Sequence, residues 1–160
     1  DLPEKPHLFL EFHGSPAGVA EQVESFKEIA EEHGARGFEW ATKTEDRNRL
    51  WAARHNAYYS VKALRKGASG IVTDCCVPIS ALAECIQKAK EGIAKYGLIA
   101  PIVGHVGDGN FHLQILVDPE NSEEVSGAKA LAADLNALAL EHEGTVTGEH
   151  GVGVGKLPYM

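Results

Sequence analysis

The segment APIVGHVGDGNFHLQILVD, residues 100–118, predicts a strand, a tight reversal and a second strand. Asp-Gly between two apolar stretches is among the strongest local signals of a β-hairpin. With Asp108 and Gly109 as the central turn residues, His105 would pair with His112. Cross-strand partners share a face of the sheet, with Cβ atoms about 4.5–5.5 Å apart. This register would therefore place two imidazoles side by side.

Two neighbouring imidazoles can share a divalent metal ion, and the sequence offers a third ligand. The segment TGEHGVGVGK, residues 147–156, places Glu149 among glycines that permit a sharp turn and a close approach of the backbone. Two histidines and one carboxylate leave a coordination position open, as in catalytic metal sites. The alternative interpretation is that His105 and His112 are polar surface residues and that the glycines only form turns.

Helices and strands are predicted to alternate around this hairpin. Four stretches with apolar residues at every third or fourth position predict helices, at residues 15–34, 45–64, 80–97 and 121–143. Three shorter apolar stretches predict further strands, at residues 7–14, 37–42 and 69–79. This order favours an α+β fold, with helices packed on one face of an antiparallel sheet. A parallel doubly wound sheet is the alternative.

Size and charge limit the possible functions. The 160 residues suffice for one domain with a hydrophobic core. A net charge of −8 argues against nucleic acid or an anionic membrane as the main partner. Three cysteines without a framework spacing favour reduced, buried thiols and a cytoplasmic setting. The sequence lacks the phosphate-binding P-loop, the helical zinc-protease motif and the serine-hydrolase elbow.

Four ordered motifs together resemble the C-terminal domain of the FAD-linked oxidases, in the vanillyl-alcohol-oxidase-like group of flavoproteins. They are LWAARHNAYYSVKAL, TDCCVPIS, GHVGDGNFH and GEHGVGVGK, and the resemblance extends over residues 8–156. Within the group, these segments are most similar to D-lactate dehydrogenases of the cytochrome type. The resemblance implies duplicated ferredoxin-like units in a single domain, residues 1–160. That substrate-binding cap would accompany a separate FAD-binding domain that this chain does not contain.

The resemblance also implies roles for individual residues. His105, His112 and Glu149 would bind a divalent metal ion, zinc or manganese. Arg54 would hold the substrate carboxylate through its planar guanidinium. His150 would accept the hydroxyl proton while a hydride passes from the substrate to FAD. The expected reaction is oxidation of a small 2-hydroxy acid, D-lactate, to its keto acid, pyruvate.

Several alternatives remain open at the level of sequence. D-2-hydroxyglutarate or glycolate could replace D-lactate, although Val72 stands where a lysine is expected for a diacid, which favours a small substrate. A metal-dependent hydrolase and a non-catalytic metal-binding module are alternatives of other classes. The expected electron acceptor is cytochrome c or a quinone, and a homodimer is possible. The chain alone is expected to be inactive. The protein is expected in the cytoplasm, with the face of the inner membrane as an alternative, or in mitochondria if its source is eukaryotic.

Overall fold

The computed structural model describes residues 5–160. These residues divide into a first compact unit that ends at Ala57 and a second one, Tyr58–Met160. The first unit contains α1 (Pro16–Glu32) and α2 (Thr44–His55). Helix α1 begins as predicted, because the Ser15 side chain accepts a hydrogen bond from the Gly18 amide and Pro16 takes the first helical position.

Two predicted strands of the first unit are wrong. The structure assigns no strand between residues 5 and 57, so the stretches at 7–14 and 37–42 are irregular. A short apolar stretch becomes a strand only where a partner pairs with its backbone, and apolar alternation alone does not supply that partner.

The helix predicted at residues 45–64 is interrupted at Asn56, which separates α2 from α3 (Ala57–Ala63). The Asn56 side chain donates a hydrogen bond to the Ala52 carbonyl, four residues back. The Asn56 backbone amide donates to the same carbonyl, and a side chain that bonds back to the preceding turn in this way bends a helix.

The second unit consists mainly of helices and strands that alternate around one sheet. After α3 these elements are β1 (Ser69–Val72), β2 (Cys75–Cys76), α4 (Ile79–Tyr96), β3 (Ile102–His105), β4 (Asn110–Val117) and α5 (Ser122–Glu141). Among the helices of residues 5–160, none is long and apolar enough to cross a membrane.

Strand β4 is the centre of the sheet, and all of its pairings are antiparallel. Along one edge it pairs with β1 and then β2, and along the other with β3. The antiparallel pairing confirms the α+β class and excludes the parallel doubly wound alternative. Since the described part of the first unit contributes only helices as regular elements, the duplication of ferredoxin-like units stays a prediction.

The hydrophobic core lies between β4 and the two long helices of the second unit. Alternate residues of β4 pack with side chains of α4 and α5, as expected for a sheet with helices on one face. The members with the least exposure include Phe111, Leu113, Ile115, Cys85, Ala89, Leu131 and Leu135. This core fixes β4, and β4 carries His112 of the candidate site.

The register of the hairpin differs from the predicted one by two residues. His105 pairs with Asn110, and His112 pairs with Val103. The predicted pairing of His105 with His112 is wrong because the reversal is longer, with a 3-10 turn at Val106–Asp108. Side chains alternate with a period of two, so a shift of two residues leaves both imidazoles on one face.

Gly109 completes this turn at φ 76°. A Cβ at this position would collide with the carbonyl oxygen of Val77. The turn therefore requires glycine for two reasons: its backbone is left-handed, and the backbone of Val77, the residue after β2, lies too close for a side chain.

Candidate functional site

His105, His112 and Glu149 meet where the hairpin reverses. The Glu149 Oε1 atom lies 2.9 Å from Nε2 of His112 and 3.5 Å from Nε2 of His105. One ligand atom of each residue lies within 4.8 Å of the others. Two imidazole nitrogens and a carboxylate oxygen at this spacing can all reach one divalent cation with bonds of about 2.0–2.2 Å.

The hydrogen bonding of His112 leaves one ring nitrogen for a ligand. Its Nδ1 lies 3.1 Å from the Thr73 carbonyl oxygen, which can only accept, so Nδ1 carries the proton and donates. Nε2 then presents a lone pair towards Glu149, and it is buried without a hydrogen-bond partner. The Glu149 side chain is half-exposed, but two acceptors 2.9 Å apart, one of them buried, repel each other unless a cation or proton lies between them. The donor set therefore fits a divalent metal ion.

Asp74 holds the loop that carries Glu149. This carboxylate is 1% exposed and accepts hydrogen bonds from the backbone amides of Glu149 (3.0 Å) and His150 (2.8 Å). The side chains of Asn110 and Thr147 also donate to it. Burial alone would raise the pKa of Asp74, but these hydrogen bonds outweigh burial and hold the pKa well below its usual range.

Sequence reasoning did not identify Asp74 as part of the site. A signal was present, because TDCCVP places a charged residue inside an apolar stretch that was predicted to be a strand. A buried aspartate requires several donors, and the amides of a glycine-rich loop provide them here.

The loop also needs glycine at position 148. A Cβ there would collide with the Asn110 side-chain amide and lie 3.2 Å from Asp74 Oδ1. Gly148 therefore lets the backbone pass close to the two side chains that hold the loop.

A second group of possible ligands, Asp74, His112 and His150, shares one histidine with the first. The Asp74 oxygens already accept the loop amides, and Nδ1 of His112 donates to the Thr73 carbonyl. Both facts favour the group formed by His105, His112 and Glu149 as the metal site.

His150 lies against this site with its ring half-exposed. Its imidazole stacks on that of His112, with centroids 4.8 Å apart and planes 12° from parallel. Its Nε2 lies 3.7 Å from Glu149 Oε1. A molecule bound beside His105 and Glu149 would thus have a second imidazole within reach.

An open pocket of about 420 Å³ leads to the ligand cluster. It is lined by Cys76, His105, Asp108, Asn110, Gly148 and Glu149. A volume of this size falls within the range of small-molecule sites, and its lining includes two of the three candidate ligands, His105 and Glu149.

The family model for the FAD linked oxidases, C-terminal domain, matches residues 1–160. The chain belongs to this family. It is 47% identical to the probable mitochondrial D-lactate dehydrogenase of Danio rerio, over 94% of this chain and 30% of that protein.

Two further relatives have similar coverage. Identity is 38% with the mitochondrial D-lactate dehydrogenase [cytochrome] of Arabidopsis thaliana, over 100% of this chain and 28% of the relative. Identity is 31% with glycolate oxidase subunit GlcD of Bacillus subtilis, over 98% of this chain and 33% of that relative. The chain thus spans about a third or less of the length of these members of the FAD-linked oxidase family.

The remaining predicted site residue, Arg54, lies in the last turn of α2, in the first unit. The role of Arg54 at the ligand cluster stays a prediction. Val72, which bears on substrate size, ends β1 in the second unit and is partly exposed.

The three cysteines are free thiols. Cys75 and Cys85 are buried in the core, and burial raises the pKa of the Cys75 thiol to about 12. Neither thiol is therefore activated as a nucleophile. This agrees with the prediction that these two cysteines act as small buried apolar residues. Cys76 points to the other side of β2, where its Sγ lies 3.3 Å from the Asp108 carbonyl oxygen.

Proposed function

We propose that this chain is the substrate- and metal-binding domain of an FAD-dependent D-2-hydroxy-acid dehydrogenase that oxidises D-lactate to pyruvate. Family membership and the activities for which the two D-lactate dehydrogenase relatives are named support the reaction. FAD would be held mainly by a domain that this chain does not contain, since the relatives are about three times its length.

The single observation that carries the metal site is the buried Nε2 of His112, which faces Glu149 with no hydrogen-bond partner. His105, His112 and Glu149 would hold zinc or manganese, since both ions accept imidazole and carboxylate ligands. When bound, the metal supplies a Lewis acid beside the substrate hydroxyl, and FAD supplies the hydride acceptor.

His150 would accept the hydroxyl proton of the substrate at a ring nitrogen. Its stacking on His112 fixes the imidazole beside the ligand cluster, which is the proximity that general base catalysis needs. Arg54 would bind the substrate carboxylate through two parallel hydrogen bonds. Together these residues would orient the hydroxyl and carboxylate of a 2-hydroxy acid, which lie on adjacent carbons.

Glycolate is the second candidate substrate, because glycolate oxidase subunits are also among the relatives. D-2-hydroxyglutarate is less favoured, since Val72 offers no charge for a second carboxylate. Turnover of D-lactate, glycolate and D-2-hydroxyglutarate by the FAD-loaded full-length protein that contains this domain, each with an artificial electron acceptor, would rank the three. Equal or greater turnover of the diacid would contradict the argument from Val72.

Cytochrome c is the proposed electron acceptor, with a quinone as the alternative, because relatives carry the word cytochrome in their names. The same relatives are named as mitochondrial, so a mitochondrial location is proposed for a eukaryotic source. Reduction of cytochrome c and of a soluble quinone by the FAD-loaded full-length protein, with D-lactate as donor, would separate the two acceptors.

Metal analysis tests the proposed site directly. We expect His105→Ala and His112→Ala to lose most of the zinc or manganese that the purified protein carries. His142→Ala is the matched control, because His142 caps α5 and its ring lies near Glu84, not near the ligand cluster. Unchanged metal content in both ligand variants would refute the site. Hydrolysis of esters or amides without added flavin would instead favour the metal-dependent hydrolase.

A further inference from the structure

One position of the sheet departs from a regular ladder beside His112. Along β4, Val72 of β1 pairs with Gln114 and Cys75 of β2 pairs with Phe111, in one continuous register. Thr73 therefore lies opposite Leu113. In a regular antiparallel pair of this kind, the two residues exchange two bonds between their backbone N–H and C=O groups.

Only one of those two backbone bonds is present. The Thr73 amide donates to the Leu113 carbonyl oxygen at 3.1 Å. The Leu113 amide donates not to the Thr73 carbonyl but to the Thr73 hydroxyl oxygen, at 2.9 Å. The Thr73 carbonyl is then free to accept from Nδ1 of His112, at 3.1 Å.

We propose that Thr73 is a positioning residue for the metal site. Its hydroxyl replaces its own carbonyl in the ladder, and the released carbonyl holds His112 as the Nδ1–H tautomer, with Nε2 turned to His105 and Glu149. Such a partner of a ligating histidine fixes both the tautomer and the orientation of the ring. The proposal rests on the proposed function only in taking the ligand cluster to be a metal site.

No nearby group can replace the Thr73 carbonyl easily. Thr73 and His112 are each 4% exposed, so bulk water has little access to Nδ1. The Asp74 Oδ1 atom is also near Nδ1, but at 3.4 Å, and it already accepts from the Asn110 side chain.

The tautomer of His112 can be measured without metal. In the metal-free purified protein labelled with ¹⁵N-histidine, long-range ¹H–¹⁵N spectra distinguish the two neutral tautomers, and loss of signals in His112→Gln assigns this ring. We expect Nδ1–H in the natural protein and in Thr73→Ser. We expect a shift towards Nε2–H in Thr73→Val and Thr73→Ala, in which the carbonyl can return to the Leu113 amide. Agreement of the last two variants would exclude an effect of side-chain volume.

Two results would overturn the proposal: an Nε2–H tautomer in the natural protein, or undiminished Nδ1–H in Thr73→Val. The first applies even if Thr73→Val and Thr73→Ala fail to fold, because it needs no variant. A Thr73→Ser protein that lost the Nδ1–H tautomer would also contradict it.

Metal affinity gives a second readout. We expect Thr73→Val to weaken Mn²⁺ binding by about 10- to 100-fold while its near-ultraviolet circular dichroism stays native, and Thr73→Ser to bind close to normally. A Thr73→Val protein with normal Mn²⁺ affinity would overturn the role proposed for Thr73. A natural protein that bound neither Mn²⁺ nor Zn²⁺ would refute the proposed metal site, and the tautomer measurement would still decide the role of Thr73.

Discussion

The two faces of β4 are both buried, yet only one of them is a hydrophobic core. The first face packs against α4 and α5, and its residues Phe111, Leu113 and Ile115 are at most 1% exposed. The second face is almost as buried, with exposures of 4–8% at Asn110, His112 and Gln114. Burial alone therefore does not distinguish the face of β4 that packs in the core from the face that carries the candidate ligand His112.

Unsatisfied polar atoms make that distinction. Each of the three polar residues on the second face has one buried atom without a hydrogen-bond partner, namely Asn110 Oδ1, His112 Nε2 and Gln114 Oε1. Buried polar groups without partners are rare in native proteins because each costs free energy. Three in a row on alternate residues of one strand distinguish this face from the apolar core face.

The largest effect on stability is expected on the first face. Leu113→Ala removes a fully buried side chain and should lower the free energy of unfolding by about 2–5 kcal/mol, through lost burial and a residual cavity. Urea denaturation of the metal-free protein would measure this change.

Metal affinity is expected to respond differently to substitution of Leu113 and of the adjacent His112. The Leu113 side chain points away from the His112 imidazole, so the folded Leu113→Ala protein should bind Mn²⁺ about as tightly as the natural one. A loss of affinity like that of His112→Ala would show that the two faces are not independent.

A smaller effect, with a distinct pH dependence, is expected for Asp74→Asn. The change removes a charged acceptor from the amides of Glu149 and His150, which should cost about 1–3 kcal/mol near neutral pH. Because the pKa of Asp74 is lower in the folded than in the unfolded state, its contribution is complete above about pH 4 and declines as the pH falls further.

The difference in unfolding free energy between the natural protein and Asp74→Asn should therefore shrink between neutral pH and about pH 3. Asp134→Asn is the control, because the Asp134 side chain is 59% exposed and its bonds are screened by water. The Leu113→Ala difference should vary much less over the same range. A pH-independent cost of Asp74→Asn would contradict the role of its charge.

Local sequence patterns predicted much of the second unit. Apolar periodicity located α4 and α5, and the Asp-Gly signal located the reversal between β3 and β4. The register was missed because turn length depends on how the backbone packs, here against the carbonyl of Val77 beside Gly109. The face of His105 and His112 was nevertheless predicted correctly, because a shift of two residues preserves it.

The candidate site was predictable only in part. His105, His112 and Glu149 are residue types that bind metals, so the sequence alone could nominate them. Asp74 and Thr73 act through hydrogen bonds to the backbone of distant segments, and such bonds depend on tertiary pairing that no local pattern encodes. The strands predicted in the first unit failed for the same reason, since pairing and not alternation makes a strand.

The smallest effect is expected for Gln114→Met, at the polar residue of the second face that lies farthest from the turn. Gln114 Oε1 is buried without a hydrogen-bond partner, so an unbranched apolar side chain of similar length removes an unsatisfied group at little loss of packing. Its free energy of unfolding should lie within about 1 kcal/mol of the natural value, or exceed it. A loss as large as that of Leu113→Ala, measured by the same urea denaturation, would mean that Gln114 packs as a core residue. The contrast between the two faces of β4 would then end at His112, and only Asn110 and His112 would belong to the polar face of the site.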